Sequence, residues 1–323
     1  MVRHKRLRRP DGVGNLDMKN TEKTLVNGKA LRSLRVFFAL VVSLAWFSAA
    51  ATIAAQEKSL LWKVSNDTSS VYLLGSIHYL KKENFPLNKT ILDALDSSQR
   101  LVLEIDVNSA TPEVAQKVTL SKAVYRDGTT LEQNVSPETY QLTRQRAAQL
   151  GIDMKIMMAM KPWFVSLTLV AIRLQQLGFD HSLGVDRYLA ARANSNGKPM
   201  SGLETLEFQL GVMDQLSKSD QELLLRQSVG ELDLLDQSIQ AIVQGWLKGD
   251  SSALEPLLLG SMKEYPEIYQ KLIVDRNQRW LPQIEKMLGQ TGGAMVVVGA
   301  AHLVGKDGVV EMLKARGYKV EQR

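Results

Sequence analysis

The sequence predicts an α/β fold of α+β-like character, in which N- and C-terminal strands of the mature chain build a central sheet around a large helical insertion at about 136–290. Three observations predict it. Apolar runs rich in β-branched residues, typical of buried strands, occur at 71–75, 101–105 and 295–299. The residues between the second and third runs have helical periodicity instead. No linker rich in Pro, Gly or Ser divides the chain, so a single domain is expected over 56–323.

Residues 1–55 are predicted to be a secretory signal peptide. The first 35 residues hold ten Lys or Arg, and the next 21 carry no charge and end in small residues. A basic region, an apolar region and a small-residue exit are typical of such a signal. The alternative is an uncleaved anchor, since about 20 residues span a bilayer. In both cases the remainder is expected outside the cytoplasm, in the periplasm or anchored to the inner membrane, with no other membrane contact.

The charge and composition of the rest of the chain exclude several functions. The first 35 residues contain 10 basic and 3 acidic residues, which leaves 30 basic and 31 acidic residues in the remainder, so the overall charge of +6 comes from the leader. No basic patch with interleaved aromatic residues is present, which excludes nucleic-acid binding. The absence of cysteine excludes disulfides and thiolate chemistry. Any metal must therefore bind to His, carboxylate, carbonyl or water.

The remaining elements follow from local patterns. Ser136 and Pro137 have the residue types of an N-cap and a first helical position. The tryptophans at 163, 246 and 280 are interpreted as core residues. Further strands are predicted at 60–64, 198–203 and 318–321, and further helices at 163–177, 185–193, 206–216, 220–247, 276–288 and 307–316.

Two of the three histidines beyond the leader share one local construction. His78 and His302 each follow a predicted buried strand in a Gly-x-x-His sequence. Glycine allows the backbone to leave the strand abruptly and a ligand to approach closely. Ligands of α/β sheets bind beyond the carboxyl ends of the strands, where an imidazole can bind a metal or transfer a proton. Either histidine alone would be interpreted as a hydrogen-bonded turn residue, but the matched pair favours a functional site. His181, between helices, is interpreted as a solvated loop or capping residue.

Glu104 is a third candidate for this site. It lies at the end of the predicted strand 101–105, and a carboxylate there is costly unless it is paired, protonated or bound to metal. Asp106, two residues later, is more simply interpreted as a structural ion pair or loop cap. The sequence contains no His-Glu-x-x-His, no Gly-x-Ser-x-Gly and no P-loop. Ser76 is therefore interpreted as a turn residue rather than a nucleophile.

These motifs together resemble the TraB/GumN family, part of the TraB/PrgY/GumN/Tiki superfamily. The segments LWKV, VYLLGSIHYL and LVLEID resemble the family's opening, and AMVVVGAAHLVGKDGVVEMLKARGYKVEQ resembles its C-terminal signature. Between them, the motifs GTTL, KPW, GVD, KP followed by GLET, and DRN also fit in the right order. The resemblance extends from Leu60 to the C-terminus, and its strength lies in the order of several motifs.

The resemblance implies a metal-dependent hydrolytic site, because the family is related to the Tiki metalloproteases of animals. It points to His78, His302 and Glu104 as ligands of a divalent metal ion, with manganese, cobalt or zinc as candidates. Glu104, Arg276 and Asn277 are then the expected catalytic residues, the last two binding an oxyanion or a substrate carboxylate. Glu204 lies in a recurrent family motif but is interpreted as structural.

Two functions are therefore expected as alternatives. The first is a metal-dependent hydrolase, most simply a peptidase, whose substrate is a peptide or another small molecule of the cell envelope. The second is a non-catalytic ligand-binding or accessory protein in envelope or exopolysaccharide assembly, which would hold an anionic ligand in the same cleft.

Overall fold

The sheet is the centre of the molecule and carries the site at one edge. The computed structural model describes residues 58–106, 110–290 and 292–323. Within them a six-stranded mixed sheet has the order β4-β3-β5-β2-β1-β6. Its strands are β1 Leu61–Ser65, β2 Ser70–Ser76, β3 Arg100–Ile105, β4 Met200–Glu204, β5 Ala294–Gly299 and β6 Lys319–Gln322. The predicted fold class is therefore confirmed.

The parallel strands β2, β3 and β5 bring the two Gly-x-x-His segments together. Strand β5 lies between the other two, with Ser76 opposite Gly299 and Leu103 opposite Val297. Parallel strands end at the same edge of a sheet. The carboxyl ends of β2, β5 and β3 are consequently neighbours, although they come from distant parts of the chain. Strands β1 and β6 complete the sheet with antiparallel pairing.

Helices cover the sheet and form most of the middle of the chain. Ser136 caps the helix at Pro137, as predicted: its side chain accepts from the amide of Thr139. The α-helices are α1 Lys89–Ser97, α2 Pro112–Ala123, α3 Leu131–Asn134, α4 Pro137–Gln149, α5 Pro162–Gln176, α6 Val185–Ser195, α7 Leu206–Asp214, α8 Lys218–Gly230, α9 Leu235–Leu247, α10 Ser251–Lys263, α11 Pro266–Tyr269, α12 Asp275–Leu288 and α13 Val309–Ala315. A π-helical segment, Gln270–Val274, directly precedes α12.

One predicted helix is wrong. The segment 220–247 is two helices, α8 and α9, separated by a turn at 231–234. The break follows Gly230, a poor helix former, and lets Leu232 pack into a second hydrophobic cluster. That cluster lies among α3, α4, α5 and α8, whereas the main core contains the sheet and the helices packed on it. Helices α1, α2, α3, α10 and α11 are additional elements that the sequence analysis did not predict.

The predicted signal peptide lies outside the described residues. Among the residues that the structure does describe, no helix has both the length and the hydropathy needed to cross a bilayer.

Candidate functional site

His78 follows the end of β2 and is oriented by a carboxylate from α6. Its Nδ1 lies 3.0 Å from Oδ1 of Asp186, the second residue of that helix. The carboxylate accepts this bond, so the hydrogen is on Nδ1 and Nε2 is left for other partners. The close approach requires Gly184, because a β-carbon there would stand 2.6 Å from the carbonyl oxygen of His78. About half of the His78 side chain, 49%, is exposed.

The surroundings of His78 favour its protonated form. Burial lowers the pKa of the imidazole, but the hydrogen bond to Asp186 and its negative charge raise it more, with a further contribution from Glu104. The resulting pKa is about 9. At neutral pH, therefore, His78 carries a proton on both ring nitrogens.

His302 is the opposite case, a buried neutral histidine. It ends the 3₁₀ turn after β5 and is 4% exposed. Arg276 Nη1 lies 3.0 Å from its Nε2, and Asn277 Oδ1 lies 2.7 Å from its Nδ1. A guanidinium can only donate, so Nε2 accepts and the hydrogen on Nδ1 is donated to Asn277. Burial lowers the pKa of His302 to about 3, helped by the charges of Arg276 and His78.

Glu104 is held in its ionised form by three donors. Its Oε1 accepts from the amide nitrogen of Gly299 at 2.6 Å. Its Oε2 accepts from Arg276 Nη2 at 2.7 Å and from Gln209 Nε2 at 2.8 Å. Burial raises the pKa of the carboxyl, but the positive charges of Arg276 and His78 and the bond from Gly299 lower it more, so that the pKa lies below its usual value although His302 is neutral.

Arg276 lies behind the cleft wall and donates hydrogen bonds to Glu104, Glu204 and His302. Its Nε donates to both oxygens of Glu204 at 3.1 and 3.2 Å, and its Nη2 donates to Glu204 as well as to Glu104. Its Nη1 donates to His302 and, at 3.4 Å, to the carbonyl of Leu272 in the π-helical segment. All five N–H groups of the guanidinium therefore have acceptors within the protein. The side chain of Glu204 is only 4% exposed and also accepts from Trp280 Nε1 at 2.9 Å.

Arg276 and Asn277 reach both nitrogens of one imidazole from consecutive positions. They are the second and third residues of α12, which directly follows the π-helical segment, and π-helical turns occur often at functional sites. Asn277 is fully buried and donates to the carbonyls of His302 and Asp307 at 3.3 and 2.8 Å. Both side chains thus bond to the protein in this arrangement and orient His302.

The three predicted metal ligands converge on Gly299. A β-carbon at this residue would stand 3.2 Å from Glu104 Oε1, 3.7 Å from His78 Nε2 and 3.7 Å from His302 Cδ2. The backbone of Gly299 has a φ of −52°, which any residue can adopt. Glycine is present here for the space that it leaves, and not for its conformational freedom.

A cleft of about 400 Å³ opens over this point. His78 and Glu104 line it, whereas His302, Arg276 and Asn277 lie behind its wall. The other residues that line the cleft are Ser76, Tyr79, Leu103, Ile105, Ala110, Ala115, His181, Asp186, Arg187, Leu206, Gln209 and Val297.

Several residues acquire roles that sequence reasoning missed. Asp186 belongs to a motif quoted above, but nothing in that motif shows that its carboxylate reaches His78. Gln209 carries no sequence signal at all. Trp280 was interpreted as a core residue only. It is buried, but it also donates a hydrogen bond to Glu204, and its ring centroid lies 4.4 Å from that of His302. His181, interpreted as a solvated loop or capping residue, instead begins the 3₁₀ helix His181–Leu183 between α5 and α6, is half-buried and lines the cleft.

The side chains at the site provide only some of the ligands that a metal ion needs. In the described segments of the chain, no group of three or more His, Asp and Glu side chains is arranged to hold one. The reason is Arg276, which donates to His302 Nε2 and Glu104 Oε2. His78 Nε2 and Glu104 Oε1 both face the point beside Gly299. A three-residue ligand set that includes His302 stays a prediction and requires Arg276 to move.

Comparison with known proteins identifies related chains. The model of the TraB/PrgY/gumN family matches residues 60–322. The uncharacterized protein YbaP of Escherichia coli (strain K12) is 26% identical over 243 residues, covering 75% of this chain and 87% of YbaP, and YbaP of Shigella flexneri matches equally. An uncharacterized protein of Treponema pallidum (strain Nichols) is 20% identical over 282 residues, 82% of this chain and 83% of its own. No solved structure matches this chain.

Proposed function

This chain belongs to the TraB/PrgY/gumN family, and from that membership and the geometry of its cleft we propose that it is a hydrolase, most simply a peptidase, that acts outside the cytoplasm. The observation that carries the proposal is the convergence of His78 and Glu104 beside Gly299, at the floor of a cleft at the carboxyl ends of parallel strands. Ligands of α/β sheets bind at this edge.

The side chains in the cleft supply acid–base chemistry for the addition of water to a carbonyl. His78, protonated and oriented by Asp186, would donate from Nε2 to the oxygen that becomes negative or to the leaving nitrogen. Glu104, ionised and fixed by Gly299, would accept a hydrogen bond from the attacking water through Oε1. Asp186 and Arg276 are positioning residues in this scheme, since each acts through the group that it holds.

A divalent ion, with manganese, cobalt or zinc as candidates, is the second form of the proposal, in which the ion would replace the Nε2 proton of His78 and take over its role toward the carbonyl oxygen. His78 Nε2 and Glu104 Oε1 would hold it, with water or substrate completing its coordination. Such an ion would polarise the carbonyl and lower the pKa of a bound water. His78 must lose its Nε2 proton for this, so metal and proton compete for the same nitrogen.

The first experiment compares metal content and hydrolysis in the purified native chain and its variants. In His78→Gln and Glu104→Gln, we expect bound manganese, cobalt or zinc and cleavage of a peptide library to be lost together. Glu285→Gln, in an exposed ion pair with Arg316, is the matched control and keeps both. Native rates in the His78 and Glu104 variants would overturn the proposal.

His302 offers a separate measurement. If Arg276 keeps its place, then His302→Gln lowers activity by disturbing Arg276 but leaves the metal stoichiometry unchanged. Loss of the metal from His302→Gln would show instead that Arg276 moves and that His302 is a ligand.

The non-catalytic alternative has one observation in its favour. Every donor of Arg276 is used within the protein, and His302 Nε2 is occupied, so a complete three-ligand centre is not preassembled. Ligand binding that survives a chelator, with no turnover of any peptide or ester, would favour this accessory role.

Export is also part of the proposal. It rests on the basic and apolar leader within residues 1–55. Mass spectrometry of the chain from periplasmic and membrane fractions tests it: a shortened periplasmic form indicates cleavage, a full-length membrane form indicates an anchor, and a cytoplasmic chain refutes export.

A further inference from the structure

The cleft has a cation on its wall that the acid–base chemistry does not use. Arg187 lines the cleft and is exposed. Within the described residues it forms no ion pair with a carboxylate, and its one hydrogen bond goes to His181. It lies in the first turn of α6, where the helix dipole disfavours a positive charge. Neither an ion pair nor helix stability accounts for an arginine here.

Two hydrogen bonds hold this guanidinium against the cleft. Arg187 Nε donates to His181 Nε2 at 3.0 Å, so the hydrogen of His181 is on Nδ1. That nitrogen donates to the backbone carbonyl of His78 at 3.1 Å. The His181 ring also packs against Tyr79, with the ring centroids 5.2 Å apart. Arg187 is thereby tied to the backbone of the reactive histidine, while its two terminal nitrogens have no acceptor among the described residues.

The rest of the cleft points to a ligand with an apolar part. Leu103, Ile105 and Leu206 line it. Ser76 lines it too; its side chain is buried, and its hydroxyl has no hydrogen-bond partner in the described part of the chain. A buried hydroxyl without a partner is costly and is normally satisfied by water or a ligand. Apolar surface and the cation of Arg187 therefore face the same space, and the Ser76 hydroxyl lies buried beneath it.

We propose that Arg187 recognises a carboxylate of the substrate, so that the cleft takes short peptides or acylated amino acids with a free C-terminal carboxylate and an apolar side chain. The planar fork of a guanidinium matches a carboxylate with two parallel hydrogen bonds. The apolar side chain lies against Leu103, Ile105 and Leu206. The reaction at this site rests on the proposed function, but the recognition does not.

Calorimetry on the full chain at pH 7 tests the recognition, with N-acetyl-leucyl-leucine and its C-terminal amide as probes. We expect the native protein to bind the acid at least about tenfold more tightly than the amide. The preference falls to near unity in Arg187→Gln and is partly kept in Arg187→Lys. Arg192→Gln is the matched control: it lies on the same helix, pairs with Asp96 and keeps the native preference.

Three results would overturn this assignment. They are absence of any preference for the acid in the native protein, retention of the preference in Arg187→Gln, and binding of inorganic phosphate as tight as that of the peptide acid. A protein that binds the acid selectively but hydrolyses no peptide would refute the proposed hydrolase and leave the recognition by Arg187 standing.

Discussion

Replacing Arg276 by Met removes the cation on which two buried carboxylates depend. The side chains of Glu104 and Glu204 are 12% and 4% exposed, and both bond to the same Nη2. Breaking a buried ion pair by removing one partner typically costs about 3–5 kcal/mol, because the other charge stays buried without compensation. We therefore expect Arg276→Met to lower the free energy of unfolding by roughly that amount at pH 7.5.

The loss of stability in Arg276→Met should depend on pH and be larger at neutral pH than in acid. In the native protein the pKa of Glu104 lies below its usual value of 4.5, so its contribution to stability is fully present above pH 4.5 and is lost as the pH falls through the lowered pKa. Without Arg276 the carboxyl takes up a proton more readily, which relieves the buried charge. The difference in stability between the native protein and the variant is consequently largest at neutral pH and smaller at pH 4.

Urea unfolding at pH 7.5 and pH 4 measures both effects, provided that the m-value is unchanged. Arg316→Met is the control, since its ion pair with Glu285 is exposed and its loss costs less than about 1 kcal/mol. The double variant Arg276→Met/Glu204→Gln should recover part of the loss, because it removes one of the two orphaned charges. A loss below about 1 kcal/mol, or an equal loss at both pH values, would refute the reasoning.

Three further predictions concern the same groups. Gly299→Ala should abolish hydrolysis, since its methyl group would stand 3.2 Å from Glu104 Oε1, and should lower the urea midpoint less than Gly75→Ala, whose β-carbon would stand 2.5 Å from Leu60 Cδ2; the reverse order of the two midpoints would contradict both expectations. The pKa of His302 is about 3 in the folded protein and 6.5 in the unfolded chain, so the free energy of unfolding rises with pH between these values, by up to about 1.4 kcal/mol per pH unit. In His302→Gln the urea midpoint should therefore change less with pH over this range. Asp186→Asn should lower the pKa of His78 well below 9, as seen by NMR titration of its ring protons; an unchanged titration would remove Asp186 from the site.

The strands were predictable because their signal is local. Apolar, β-branched runs identify β2, β3 and β5 directly, and the Gly-x-x-His sequences after two of them indicate which strand ends meet. The order of the strands was not predictable, because several pairings bury the same residues. The break between α8 and α9 also depends on tertiary packing, since Leu232 is drawn into a cluster that sequence periodicity does not reveal.

The site residues on the strands were predictable, and those on the helices were not. His78 and Glu104 line the cleft because His78 follows β2 and Glu104 lies near the carboxyl end of β3, two strands that the sequence identifies. Asp186 and Gln209 reach them from helices far along the chain, and no pattern within a helix shows which strand end it faces. Arg276 was expected to contact a ligand, and the structure places it among Glu104, Glu204 and His302. A sequence shows that an arginine is near a site, but not whether it lines the cleft or is buried behind the residues that do.

The position of β5 between β2 and β3 also has a consequence for biosynthesis. The sheet is continuous only when the segment ending at Gly299 has joined it, so no chain still being synthesised short of that residue has the pair of Gly-x-x-His loops together. Pairings between distant segments form slowly, because the long intervening loop must close first. The cleft is therefore assembled late, after almost the whole chain has emerged from the ribosome.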